Sequence, residues 1–184
     1  MSTATNELMN EHRAIETVIG LLERARDRIK AGERLSPEIL LRAHGFIRDF
    51  ADKCHHAKEE NALFKAMARR GVPVEDGPIG VMLLEHDEGR AYASGIGKAI
   101  PGYAAGDEAA AADLVANITG YARLLLAHIQ KEDMILYPLS DQVLSETDKR
   151  DLAREFERIE REETGPGEHE KHLALIEDLR AAVG

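Results

Sequence analysis

Apolar residues recur at intervals of three and four along nearly the whole chain, and the pattern stops only where glycine and proline cluster. Positions i, i+3 and i+4 share one face of a helix, whereas a half-buried strand alternates. No alternating stretch is present, so the chain is committed to helices. The spacing predicts long helices over about 5–31, 36–70, 79–100 and 107–138, then a charged helix over about 145–163 and a short one over about 169–182. Gly32, the run from Gly71 to Pro78, Pro101-Gly102 and Gly165-Pro166-Gly167 supply the breaks. Ser36-Pro37 reads as an N-cap with a first-turn proline, and Ser145-Glu146-Thr147-Asp148 as a capping box. Four long helices with short connections predict an all-α, antiparallel up-down four-helix bundle. The bundle is expected over 1–142, with one or two additional C-terminal helices over 143–184 packed on it or on a partner subunit.

Charge narrows the function. A formal net charge of −10 is wrong for a nucleic-acid groove, which must neutralise phosphates, and equally wrong for an anionic membrane surface. The first residues, Met1 to Glu7, carry neither the basic nor the apolar segment of a signal peptide, and no later run could span a bilayer. One cysteine, Cys54, excludes an internal disulfide and reads as a small buried hydrophobe. A cytoplasmic protein is expected.

Within this apolar scaffold two short segments stand out. His55-His56-Ala57-Lys58-Glu59-Glu60 and His128-Ile129-Gln130-Lys131-Glu132-Asp133 each place a histidine four residues before a carboxylate. On the fourth helix the apolar stripe runs Leu114, Ile118, Tyr121, Leu125, takes in His128 and Glu132, and resumes at Ile135 and Leu139. A charged carboxylate in a buried stripe costs several kcal/mol unless something compensates it. His86 on the third helix and His12 on the first lie in their apolar stripes in the same way. One histidine per helix, two of them with an i+4 carboxylate, outweighs ordinary core packing and points to a metal site suited to iron or manganese. On the second helix the stripe leaves two pairs open, His55/Glu59 and His56/Glu60. Aligning Leu63-Phe64 with Leu136-Tyr137 favours His55/Glu59. His44 reads as an edge residue of its helix, and His169/His172 as a surface pair.

The ordered set Glu11-His12-Arg13, His55-x-x-x-Glu59-Glu60-x-x-Leu63-Phe64, Glu85-His86 and His128-x-x-x-Glu132-Asp133-x-x-Leu136-Tyr137-Pro138 resembles the hemerythrin-like, or HHE cation-binding, family over about residues 5–140. Ferritin-like bundles, with Glu-x-x-His pairs, have the opposite order. The resemblance implies a non-haem centre of two iron ions, oxo- or hydroxo-bridged, with manganese or zinc as other candidate cations. It implies His12, His55, His86 and His128 as terminal ligands and Glu59 and Glu132 as bridges, since a carboxylate can span two cations and an imidazole serves one. Oxygen-carrying members have a second histidine four residues after the third-helix ligand; here that position is Arg90, which speaks against reversible oxygen carriage. Gly89 leaves room beside it, and Glu16 and Tyr121 are candidate outer groups. The expected function is binding or reduction of a small oxidant (dioxygen, peroxide or nitric oxide) in stress defence or iron handling, making the chain a candidate di-iron oxidoreductase with a homodimer as candidate assembly. The alternatives are an iron or oxygen sensor, or iron donor, acting through a protein partner, and a contact scaffold holding zinc or no metal.

Overall fold

The structure is a computed structural model that describes residues 2–164 and 168–183, with side chains of 163–174 outside the description. The sequence pair His169/His172 therefore lies outside the described side chains. Helix α1, Thr3–Lys30, is capped by the Ser2 side chain and ends where Gly32 turns the chain at a φ of 84°. The second rod begins with α2, Pro37–Phe46, and finishes with α3, Phe64–Arg69. Pro37 sits in the first turn as expected, but the Ser36 side chain makes no cap bond. Between α2 and α3 the backbone widens into π-helical bonding over Ile47–His56 and Glu59–Leu63. The third rod is α4, Pro78–Ala105, and the fourth runs from α5, Glu108–Lys131, through a π stretch, Glu132–Leu136, into α6, Tyr137–Val143.

Two helix ends differ from the sequence reading. Helix α4 does not stop at Pro101 but carries it inside and ends at Gly106, whose φ of 88° suits glycine. Tyr103 explains the extension: its ring is buried and its hydroxyl accepts from the Leu35 N–H at 2.8 Å, tying the extra turn to the connection before α2. The fourth rod also continues past Pro138 to Val143, with the proline placed directly after the π stretch Glu132–Leu136.

Helices α4 and α5 lie along one another, and Gly120 makes the seam possible: a Cβ there would stand 2.2 Å from a Tyr92 ring carbon. After the capping box at Ser145, with both reciprocal bonds made, comes α7, Glu146–Ile159. Highly charged as this helix is, its Leu152, Phe156 and Ile159 form a buried stripe against the bundle. A π stretch, Glu160–Thr164, and α8, Glu168–Val183, follow, and α8 lays Ile176, Leu179 and Val183 against the bundle core. No described helix is long and apolar enough to cross a membrane.

The core is split. One apolar cluster holds Ile15, Val18 and Ile19 of α1, Phe46 and Phe50 of the second rod, Ile96 of α4 and Leu114 to Leu125 of α5. A second holds Leu8, Leu63, Met67, Ile79, Met82, Leu136 and Phe156. Along every rod the residues between the two clusters are the histidines and carboxylates singled out above.

Candidate metal centre

Each rod delivers its polar residues at the level where its apolar stripe changes cluster. The ligand-type atoms of His12, His55, Glu59 and Glu132 lie within 4.8 Å of one another, and so do those of His56, Glu59, His86 and His128. All six sequence candidates therefore converge, buried, on one place, and Glu59 belongs to both groups. Glu132 Oε2 stands 3.2 Å from His128 Nε2 and 3.3 Å from His12 Nε2, while Oε1 is 3.9 Å from His86 Nε2. Glu132 thus also reaches histidines of both groups.

His55/Glu59 and His56/Glu60 are not alternatives. His56 joins the second group, its ring stacked on His86 with centroids 3.9 Å apart. It comes from the second rod and brings an imidazole to the side of His86 and His128. Glu60 points outward, 2.7 Å from His86 Nδ1 and 2.5 Å from Arg90. The widened π turns bear on this, since they rotate successive side chains differently from an α-helix and seat both His55 and His56 inside.

A second ring of carboxylates holds the imidazoles. Nδ1 of His12 is 2.7 Å from Asp133, that of His55 2.8 Å from Glu11, that of His128 2.8 Å from Glu85, and that of His56 3.4 Å from Asp52. With Nδ1 held as a donor, Nε2 is turned inward, and once neutral each ring presents its lone pair there, the tautomer a metal ligand requires. Cations brace this ring in turn: Arg13 on Asp133, Lys58 on Glu11, Arg90 on Asp52 and Glu60, Lys131 on Glu85. Sequence reasoning left these outer groups without roles, although the signal was there. The acids stand beside the ligands in the chain (Glu11-His12, Glu59-Glu60, Glu85-His86, Glu132-Asp133), and each orients a histidine of another rod. Of the candidate outer groups, Glu16 pairs with Arg13, and Tyr121 is buried in the wall of a cavity that His56 also lines.

Does this set fit a cation? Glu59 Oε2 and both oxygens of Glu132 are buried without a hydrogen-bond partner, a costly arrangement for charged groups. His86 Nε2 and His128 Nε2 face each other at 3.1 Å, although both rings have Nδ1 committed to carboxylates. Two nitrogens each about 2.1 Å from one ion would stand at about this separation. The field agrees: burial opposes charge on His12 and His86, yet the Asp133 and Glu132 carboxylates beside His12 carry it up to about 9, and those of Glu59 and Glu60 beside His86 carry it up to about 10. Burial, reinforced by His86, pushes His56 down to about 3 and keeps it neutral. The pocket demands positive charge, and its residues fit a pair of cations.

A model of the hemerythrin HHE cation binding domain matches residues 3–140. The chain belongs to the hemerythrin HHE cation-binding family. At 24% identity over 182 residues, 99% of this chain and 71% of theirs, it is similar to the uncharacterized proteins Rv1995 of Mycobacterium tuberculosis (strain H37Rv) and Mb2018 of Mycobacterium bovis. No solved structure matches the chain. The hemerythrin domain thus spans the four rods, and α7 and α8 lie beyond it.

One cavity of about 240 Å³ leads from the surface of the domain to His56. Ile47, Gly89, Ala93 and Tyr121 give it apolar walls, and Asp52 and Arg90 stand at its polar side. His44 also lines it, half-buried over Gly97.

Proposed function

We propose that this hemerythrin-family chain holds two iron ions and binds or reduces a small oxidant such as dioxygen, peroxide or nitric oxide. His56, His86 and His128 would serve one ion, His12 and His55 the other, with Glu59 and Glu132 shared between them. The observation that carries the reading is the trio of buried, unpartnered carboxylate oxygens on Glu59 and Glu132, set among imidazoles already oriented from behind. Bound there, the irons would supply electron exchange with the oxidant.

The remaining work falls to the chain. Apolar clusters lie above and below the layer and its histidines and bridging glutamates are buried, so charge interactions within it are weakly screened. Tyr137 donates to Glu59 Oε1 at 2.8 Å with His12 Nε2 3.2 Å away, holding a proton inside the site. Burial, with the Glu59 charge beside it, raises the Tyr137 hydroxyl well above its ordinary pKa and keeps that proton in place. The cavity at His56 offers a small, largely apolar molecule a way in.

The test is metal analysis with an optical spectrum of the purified protein and of Glu132→Ala. Two irons per chain with near-ultraviolet charge-transfer absorption are expected, and loss of at least one iron in the variant. Peroxide or nitric-oxide consumption by the loaded protein would support the redox role. A colourless protein with one zinc, or unchanged iron in Glu132→Ala, would defeat the reading.

A further inference from the structure

Lys58 is wholly buried, and its ammonium meets three carboxylates: Glu11 at 2.5 Å, Glu7 at 2.7 Å and Glu160 at 2.7 Å. Glu11 divides its two oxygens, Oε1 to Lys58 and Oε2 to His55 Nδ1 at 2.8 Å. Glu160 comes from outside the hemerythrin domain, at the end of α7, where buried Phe156 places its ring 5.7 Å from the same ammonium. A continuous chain of charged contacts therefore runs from the C-terminal arm through Lys58 and Glu11 to one histidine of the candidate centre. The other histidines are braced within the domain, through Asp133–Arg13, Glu85–Lys131 and the Asp52–Arg90–Glu60 group.

We infer that Lys58 and Glu160 are positioning residues for His55, so that the C-terminal arm governs how firmly the His12–His55 side holds its cation. A buried ammonium is tolerated only while carboxylates surround it. Removing the charge of Glu160 leaves Lys58 to Glu7 and Glu11 alone and weakens the pull of Glu11 on the His55 ring proton. The ring loses basicity and fixed orientation, as happens when groups behind a metal-binding histidine are altered. The two halves of the centre then differ in kind: one depends on the arm and the other does not.

This rests on the two-cation reading for its metal readout but not for its first measurement. Imidazole 15N spectra of the full-length, metal-free protein should show His55 shifted by Glu160→Gln, with His86 and His128 in place. In the iron-loaded protein, release to a chelator should speed about 3- to 10-fold for one ion and stay unchanged for the other. Glu157→Gln, an exposed change on the same arm, should alter neither. Unmoved His55 resonances, or both ions leaving faster together, would overturn the inference. A wild-type protein holding fewer than two ions would instead defeat the two-cation reading, leaving the His55 spectrum to decide this one.

Discussion

Among the described residues, both oxygens of Glu132 and Oε2 of Glu59 lack a hydrogen-bond donor and stand 3.2–3.9 Å from imidazole nitrogens, while Glu59 Oε1 accepts from Tyr137. Tyr137→Phe strips one buried carboxylate oxygen of its donor. Urea unfolding of the metal-free protein should show a loss of about 1–3 kcal/mol. The histidines give a pH dependence with a definite sign. His12 and His86 stand at about 9 and about 10 in the folded protein, above their ordinary value of 6.5. The stability they contribute to the metal-free protein is complete below pH 6.5 and is lost as pH rises through 9 to 10. Metal-free protein should therefore unfold at lower urea at pH 10 than at pH 6. Cation binding has the opposite dependence, because these rings must shed protons to become ligands. Calorimetry in buffers of different ionisation enthalpy should record proton release on loading near pH 7.5. The residue-level site was largely legible in the sequence, since a histidine and a carboxylate in an apolar stripe need no structure to be seen. The apparent choice between His55 and His56 came from assuming ideal α geometry, in which neighbouring residues point about 100° apart.

At the level of elements, caps, breaks and amphipathic stripes placed the helices well, because those signals are local. The π stretches were not legible: Glu59, Glu132 and Glu160 each open one, and nothing in their local sequence demands the wider turn. Those at Glu59 and Glu132 fall where their rods meet the buried polar layer. Pro101 was misleading for a similar reason, since burial of Tyr103 outweighs the bond a proline forfeits. The docking face of the charged helix α7 rests on three large apolar side chains in a run of fourteen, Leu152, Phe156 and Ile159. That face is expected to matter. Phe156→Ala should cost about 3–5 kcal/mol in equilibrium unfolding and make the segment after Val143 sensitive to limited proteolysis.

For the whole molecule, the polar layer cuts the hydrophobic interior into two bodies. Ligands that bind only the folded state raise its stability by about 4 kcal/mol at a thousand times their dissociation constant. The loaded protein should melt above the metal-free one, and chelation should erase the difference. Glu132→Ala should show little or none of it. The layer has one more effect, on how the rods find each other. Shift any rod by a single turn against its neighbours and Glu59, Glu132 or an imidazole slides into hydrocarbon, while leucines slide opposite carboxylates. Each such slip strands a charge, so misaligned bundles are disfavoured before any cation arrives. The same few side chains that form the candidate cargo site thus act as alignment marks for assembly.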